Sequence, residues 1–343
     1  MLQPSSNASS AMPPTVSIVV PCFNEEKRIH ILLDAIFAQT YPRHCMDVTI
    51  ADGHSTDRTR EVIAAFQQEH PGLAIKVIDN DARTIPAGIN RAIAASQGEI
   101  IIRLDGHSSP YPDYVERIVT ALEEEKGQNV GGVWEIHPGA DTWVARAIAI
   151  AAAHPLGVGD ALYRHAKQAA VVDTVPFGAW KRSLVNEIGG YDESLLSNED
   201  YELNARIRQR GGKIWLDPAI RSVYFARPTF SALARQYGRY GFWKFQMLRR
   251  YPGTLRWRQA LPPLFVLSLL GNLLLAPAWP VFGWLLAFEL LAYFGILSLA
   301  GLRSTIQHRG AFLLFGLPLA ITVMHIAWGS GFLWSILAGA KKA

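Results

Sequence analysis

The chain has 343 residues, with 33 Lys and Arg against 29 Asp and Glu for a formal charge of +4, half of its residues hydrophobic, and two cysteines. Cys22 and Cys45 supply neither a disulfide framework nor a zinc-ligand spacing, which suits a reducing compartment and excludes disulfide-stapled and structural-zinc folds. A mean hydropathy of +0.11 conceals an uneven distribution, mixed as far as Arg258 and almost uncharged from Leu261 onward, as for a soluble domain joined to a membrane segment.

Residues 1–14 are rich in Ser, Ala, Asn and Pro, without a basic leader or an apolar core, and read as a disordered tail rather than a signal peptide. Val16 to Val20 predicts a strand ended by Pro21, and Glu25 to Gln39 a helix through the spacing of Ile29, Leu32, Leu33 and Ile36. Val48 to Ala51 is the next strand, Thr59 to His70 the next helix, and Ala74 to Ile78 another strand. A helix over Ala87 to Ser96, with Gly98 as its C-cap, leads to a strand over Glu99 to Leu104. This alternation predicts a parallel sheet covered by helices.

Two of the strands run into similar turns, Asp52-Gly53-His54-Ser55 and Asp105-Gly106-His107. Asp-Gly is a common turn dipeptide, so each copy alone reads as a plain turn. At the carboxyl edge of an open α/β sheet, however, a carboxylate and an imidazole one residue apart can hold a divalent cation carrying a diphosphate. No G-x-G-x-x-G follows the first strand and no G-x-x-x-x-G-K-[ST] occurs, which argues against a nicotinamide dehydrogenase or a P-loop nucleotidase.

Further along, Asn198-Glu199-Asp200 opens a helix striped by Leu203 and Ile207 and ended by Gly211, with Ser197-x-x-Asp200 a possible capping pair. Residues 229–258 interleave Arg235, Arg239, Lys244, Arg249 and Arg250 with aromatics, as in an amphipathic helix at a membrane surface, and no nucleic-acid partner is expected. Residues 261–340 predict a transmembrane region: spans over Leu261–Trp279 and Val281–Leu302, then Ala311 to Ala340 as a third span or a re-entrant hairpin broken at Gly329-Ser330-Gly331. The arginines at 249, 250, 256, 258, 303 and 309 put the soluble domain on the cytoplasmic side of a multi-pass inner-membrane protein, and Lys341 and Lys342 favour the hairpin.

In order and spacing, Pro21-Cys22-Phe23-Asn24-Glu25, Asp52-Gly53-His54-Ser55-Thr56-Asp57, Asp105-Gly106-His107 and Asn198-Glu199-Asp200 resemble the inverting family-2 glycosyltransferases of GT-A fold. Asn80-Asp81-Ala82-Arg83 with Ala87-Gly88-Ile89-Asn90, and Phe177-Gly178-Ala179-Trp180-Lys181-Arg182 with Gly189-Gly190-Tyr191-Asp192, resemble the subgroup of succinoglycan-biosynthesis glucosyltransferases. The resemblance covers Val16 to Leu248. It implies an α/β nucleotide-diphospho-sugar transferase domain over 15–228, with a mixed, mainly parallel sheet, followed by the interface helix and the membrane helices.

The resemblance also implies the chemistry: transfer of a hexose, glucose first, from a UDP-sugar to a polyprenyl-diphosphate-linked saccharide, in association with other membrane proteins of glycan assembly. Pro21, Glu25 and Asp52 would line the nucleotide pocket, with Asp52 on the uracil or ribose. Glu25 reads equally as a helix-dipole carboxylate, Asp57 as a helix cap, and Arg83 either as a phosphate contact or as an exposed arginine. Asp105 takes the place of the first Asp of the family's D-x-D, and His107 stands where the second would be, so Mn²⁺ and Mg²⁺ both stay open. Asp200 would be the general base, with Glu199 shaping the site. Gly178, Trp180, Gln236 and Arg239 would face the acceptor or its diphosphate, Gln236-Tyr237-Gly238-Arg239-Tyr240 being similar to the Q-x-x-R-W of processive synthases with Tyr for Trp. Two rival readings are a polyprenyl-phosphate glycosyltransferase and a non-catalytic nucleotide-binding scaffold.

Overall fold

The computed structural model describes residues 12–339. Most of the expected tail, and Lys341 with Lys342, lie outside the described residues. Through the first part of the chain β1 (Val16–Cys22), α1 (Ile29–Phe37), β2 (Met46–Asp52), α2 (Thr59–Glu69), β3 (Ala74–Asp79), α3 (Ile85–Ala95) and β4 (Ile100–Arg103) alternate as the sequence predicts. The first helix starts four residues later than its periodicity suggests, because the Glu25 N–H is taken by the Thr59 hydroxyl and the Glu25 carbonyl closes a turn onto the N–H groups of Arg28 and Ile29. Gly98, expected as a C-cap, lies beyond the Ser96 cap and instead lets the chain pass the backbone of Ser17.

β1 is buried along its whole length, as a central strand covered on both faces must be. It pairs in parallel with β2, Cys22 opposite Asp52, and with β4, Val19 opposite Arg103. That register has a direct consequence for function. Because three parallel neighbours end together, the segments that follow them, Phe23 to Glu25, Gly53 to Ser55 and Leu104 to His107, emerge at one edge.

The rest of the domain adds β5 (Ser109–Pro110), α4 (Tyr114–Glu123), β6 (Asn129–His137), α5 (Trp143–Ala153), α6 (Pro155–Val158), β7 (Ala170–Val172), β8 (Ala179–Lys181), α7 (Arg182–Ile188), α8 (Glu199–Gln209) and β9 (Ile214–Phe225). The sheet runs β3-β2-β1-β4-β8-β6-β9-β5, with β7 on the side of β9. β8 is antiparallel to β4 and β6, whereas the long β6 and β9 are parallel, so the sheet is mixed. Val16, Ile18, Val48, Ile50, Ile100 and Ile102 pack one core beneath α1, α2 and α4, and Val19, Ile89, Ile101, Trp180 and Leu203 pack a second on the other face.

Four long helices follow: α9 (Phe230–Arg250), α10 (Trp257–Leu275), α11 (Pro280–His308) and α12 (Leu313–Ala338). The last three are each long and apolar enough to cross a membrane. α11 runs past the expected end of the span at Leu302, through the polar stretch at 303–308, and stops only at Arg309, which has φ 51°. The α10–α11 hairpin carries a carboxylate, Glu289, which accepts hydrogen bonds from Ser268 at 2.9 Å and Asn272 at 3.1 Å.

α12 departs from the hairpin expectation, since it is one helix of 26 residues that runs unbroken through Gly329-Ser330-Gly331. Those glycines serve packing. A Cβ on Gly331 would sit 2.1 Å from the Gly238 carbonyl oxygen of α9, and one on Gly241 of α9 would sit 2.0 Å from that of Trp328. Accordingly 44% of the apolar window of α12 is buried, against 11% for α10 and for α11. One face of α9 is therefore covered by protein as well as facing the surface, and Arg256 and Arg258 tie the start of α10 to Asp160 and Asp173 of the α/β domain.

Gly331→Leu should force α9 and α12 apart and lower stability by about 1–3 kcal/mol, the range for overpacking a tight contact. Gly271→Ala, where an added Cβ meets nothing within 4 Å, should leave it unchanged or slightly raised. Thermal unfolding of the two variants in detergent checks the contrast.

Candidate active site

At the shared edge the central group is Arg103, the last residue of β4. It follows Ile100-Ile101-Ile102 in a strand that is buried throughout, and only 3% of its side chain is exposed. A guanidinium there needs charge partners, and it has three. Nη2 lies 3.1 Å from Asp105 Oδ1 and 3.0 Å from Glu199 Oε1, and Nη1 donates to Asp200 Oδ1. With Nε also 3.3 Å from Asp105 Oδ1 the guanidinium makes four bonds, one more than the three donors of an ammonium could supply.

Glu199 and Asp200 reach Arg103 because α8 begins abruptly. Asn198 adopts the left-handed conformation at φ 66° and its side chain bonds the Tyr240 carbonyl, so the first two helical residues turn inward. The Ser197-x-x-Asp200 capping pair does not form, since no side chain caps this terminus. Tyr191 donates to Asp200 Oδ1 at 3.2 Å, and its ring lies beside the guanidinium, 5.7 Å from centroid to carbon. Burial pushes the Asp200 carboxyl up to about 7; Arg103 pulls it down, while Glu199 and Asp105 add to the rise. A carboxyl so placed is suited to taking a proton near neutral pH.

The Asp105-Gly106-His107 turn is held from two sides. Asp105 Oδ1 faces Arg103, whereas His107 Nδ1 lies 2.9 Å from Glu25 Oε1. Burial opposes protonation of His107, but the bond to Glu25 and the charge of Asp105 outweigh it and raise its pKa. Among the described residues Asp105 Oδ2 accepts no hydrogen bond and His107 uses only one ring nitrogen, which leaves one oxygen and one nitrogen donor. That set fits a divalent cation which also takes diphosphate oxygens. No group of three His, Cys, Asp or Glu side chains among the described residues could hold a metal ion on protein ligands alone.

The twin turn is built differently. Asp52 is fully buried, accepting from the Ser55 N–H and hydroxyl and from Arg60, which also bonds Asp79. In this conformation it is closed to solvent. His54 bonds Asp81 at 3.0 Å and so staples the turn to the Asn80-Asp81 turn. Asp57 accepts from the Thr59 N–H and hydroxyl at the start of α2, as a capping carboxylate would.

The other sequence candidates lie further from the clamp. Pro21 is buried within β1, and Arg83 is exposed, at φ 54°, its N–H donating to the Asn80 carbonyl at 2.9 Å and its side chain making no hydrogen bond among the described residues. Gly178, at φ 83°, follows Phe177 at φ 61° and offers its carbonyl to the Arg103 N–H at 3.1 Å, so it fixes the strand that carries the clamp. Trp180, 1% exposed, is a core residue behind Tyr191, 5.9 Å between ring centroids, and is not open to an acceptor. Gln236 is buried and donates to the Tyr224 and Tyr240 hydroxyls, while Arg239 is exposed. The structure thus brings Asp105, Glu199 and Asp200 together, pairs Glu25 with His107, and leaves Asp52, Arg83, Trp180, Gln236 and Arg239 outside that group. No role for Arg103, Tyr191 or Arg60 was legible in the sequence, although Tyr191 lies in the Gly189-Gly190-Tyr191-Asp192 stretch; the available signal for Arg103 was one arginine in an otherwise apolar buried strand, two residues before Asp105.

Comparison with known proteins bears on the family and the fold. The profile of "Glycosyl transferase family 2" matches residues 17–189. The succinoglycan biosynthesis protein ExoA of Rhizobium meliloti is 31% identical over 322 residues, 92% of this chain and 93% of that protein. The dolichyl N-acetyl-alpha-D-glucosaminyl phosphate 3-beta-D-2,3-diacetamido-2,3-dideoxy-beta-D-glucuronosyltransferase of Methanococcus voltae is 29% identical over 248 residues, 71% of this chain and 76% of that protein. In fold the chain resembles the mannosyltransferase PcManGT of Pyrobaculum calidifontis, solved with GDP-Man and Mn²⁺, at a TM-score of 0.63 and 21% identity over 95% of this chain and 88% of that one. With a mixed GT-A-like sheet and a match over half its length, the chain belongs to glycosyltransferase family 2 and is a glycosyltransferase of glycan biosynthesis.

Proposed function

We propose that the protein is a membrane-bound, inverting hexosyltransferase that moves one sugar, glucose in this reading, from a UDP-sugar to a saccharide carried on a polyprenyl diphosphate. It would act at the cytoplasmic face of the inner membrane in exopolysaccharide or cell-surface glycan synthesis. The observation that carries the reading is the Arg103 clamp, which joins the donor-side carboxylate Asp105 and the acceptor-side carboxylate Asp200 through one guanidinium. Three further facts support it: a relative alike over nearly the whole chain is a succinoglycan biosynthesis protein, another acts by name on a dolichyl-phosphate-linked sugar, and three helices are long and apolar enough to cross a membrane.

In the reaction the acceptor oxygen bonds to the anomeric carbon as the bond from that carbon to the diphosphate oxygen breaks. The hydroxyl proton passes to Asp200, and the bonding electrons leave with the nucleoside diphosphate. Attack opposite the leaving group inverts the carbon. Tyr191 aims the receiving carboxylate, Glu199 keeps its proton affinity high, and Arg103 prevents three neighbouring carboxylates from repelling one another apart. A divalent cation, Mn²⁺ or Mg²⁺, held by Asp105 and His107, would neutralise charge on the departing diphosphate. Pro21, Glu25, Asp52 and Arg83 belong to the donor side and Gly178, Trp180, Gln236 and Arg239 to the acceptor side. Glu25 acts through His107, Asp52 through Ser55 and Arg60, Gly178 through Arg103, and Trp180 through Tyr191.

With native lipid extract as acceptor and radiolabelled UDP-glucose as donor, the product should chromatograph as an extended saccharide on a diphosphate lipid. A single sugar on a monophosphate lipid would instead identify a polyprenyl-phosphate glycosyltransferase.

Asp200→Asn should lower kcat by roughly a thousandfold, within the range for loss of a general base, with donor affinity little changed. Because Asp200 must be ionised to accept a proton, kcat/KM of the wild-type protein should rise with pH through about 7 and level off above it. Arg103→Lys, which keeps the charge but not the fork, should move that limb to higher pH; a limb unmoved in Arg103→Lys would remove Arg103 from the titration.

Chelation with EDTA should abolish transfer and Mn²⁺ should restore it. Asp105→Asn should lose the metal response, and His107→Ala should raise the Mn²⁺ concentration for half-activity roughly tenfold, the lower end for weakening a metal site.

A further inference from the structure

A helix that crosses a bilayer takes into the lipid whatever is packed along it, so the neighbours of α12 decide whether it crosses. Its N-terminal half lies on the α/β domain. Gly316 faces Trp143 and Ala147 of α5, and Ile321 and Met324 face Gly157 of α6. His325 donates from Nε2 to the Leu156 carbonyl of α6 at 2.9 Å and accepts at Nδ1 from the Tyr293 hydroxyl at 3.0 Å. The C-terminal half lies on α9. Gly331 and Trp328 meet Gly238 and Gly241 at backbone contact, and Gln246 donates to the Ser335 hydroxyl at 2.8 Å and to the Gly339 carbonyl at 2.9 Å. From Gly316 to Ser335 a helix advances about 28 Å, close to the thickness of the hydrocarbon core of a bilayer. No stretch of α12 long enough to cross is therefore clear of α5, α6 and α9.

α9 and α12 run side by side in the same direction. Phe230, the first residue of α9, meets Trp143, against which Gly316 near the start of α12 also lies, and towards the other end Gln246 meets Ser335. α9 keeps Arg235, Arg239, Arg249 and Arg250 exposed. Passage of α12 through hydrocarbon would draw these guanidinium groups in with it, and each is costly there. A helix pair lying in the membrane surface avoids that cost. The arginines then stay at headgroup level, where they attract anionic lipid, and the free face of α12 turns to the acyl chains. That face is apolar, since Phe315, Leu319, Trp334 and Leu337 are exposed and, at about 3.6 residues per turn, fall on one side of the helix.

We propose that α12 does not cross the bilayer but lies in the membrane surface beside α9, with Phe315, Leu319, Trp334 and Leu337 set into the lipid of the leaflet that carries the catalytic domain. The residues after α12 then stay on the side of that domain, where Lys341 and Lys342 satisfy the positive-inside rule. This rests on the membrane location in the function proposed above, and the test separates the two.

Full-length Ala338→Cys, at the exposed end of α12, and Gln68→Cys, exposed on α2 of the catalytic domain, are treated with a membrane-impermeant maleimide in spheroplasts and in everted inner-membrane vesicles. Cys22 and Cys45 are buried, so each introduced thiol is the accessible one. Both variants should be labelled in everted vesicles and neither in spheroplasts. Labelling of Ala338→Cys in spheroplasts alone, with Gln68→Cys labelled in everted vesicles alone, would show that α12 crosses and overturn the proposal. Recovery of the wild-type protein in the soluble fraction after lysis would instead overturn the membrane location. Depth gives a second readout. Bimane attached at Phe315→Cys, Ile326→Cys and Leu337→Cys in reconstituted bilayers should be quenched more by a lipid with a nitroxide near its headgroup than by one with the nitroxide near its chain end, at all three sites. Stronger quenching by the chain-end nitroxide at Ile326→Cys would place the middle of α12 at the bilayer centre, and the proposal would fall.

Discussion

One buried positive charge organises the reaction site. Arg103 ends a central strand with its guanidinium inside the protein, where its hydration is lost and only close anions compensate. Asp105 comes from the turn that follows the same strand, and Glu199 and Asp200 from the first turn of a helix about a hundred residues later in the sequence. Each of these carboxylates would be costly at that depth without the arginine, and the arginine would be costly without them. The clamp therefore fixes how β4 and α8 sit relative to each other, and it does so with the groups that the chemistry requires. Phe177 and Gly178, both at positive φ, serve the same end, since the unusual backbone there delivers the carbonyl that holds the Arg103 N–H.

A second layer of organisation lies where the sheet meets the apolar helices. Tyr224 of β9 and Ala226 just beyond it, Ile148 and Ala151 of α5, Leu233 and Tyr237 of α9, and Leu317, Ile321 and Met324 of α12 form one cluster. The catalytic domain is therefore joined to the long helices through a packed core and not through a linker alone. The Tyr224 and Tyr240 hydroxyls both accept from Gln236, and Arg164 lies against the Tyr224 ring. Polar groups buried so close to an apolar seam are costly unless paired, which makes the pairing pattern there informative.

How much of this the sequence disclosed depended on the range of the interactions. The alternating strands and helices from Val16 to Arg103 were legible because each follows from local periodicity, and the parallel register of β1, β2 and β4 then carried the Asp52 and Asp105 turns to one edge. Asp200 and Asp105 were legible as candidates through the family's motifs. Their meeting on Arg103 was not, because a lone arginine at the end of an isoleucine run reads as a strand boundary until the distant partner is known. The two D-G-H-S turns were alike in letters but differ in space: Arg60, eight residues on, closes Asp52 off, while no such cation covers Asp105 Oδ2. Likewise Gly329-Ser330-Gly331 has the composition of a turn, and only the close passage of α9 explains three small residues inside a helix.

The α9–α12 crossing has a mechanical meaning. Where Gly238 faces Gly331 and Gly241 faces Trp328, backbone rests on backbone, and no side chain lies between them to bend or change rotamer. Elsewhere in a protein such side chains act as springs that absorb small displacements before they spread. This joint has no spring. A tilt or slide of α12 would bear directly on α9, and with it on Gln246, which bonds Ser335, and on Gln236, which bonds the Tyr224 and Tyr240 hydroxyls. The best shielded of the three long apolar helices is thereby also the one in direct backbone contact with α9, and through it with the catalytic domain.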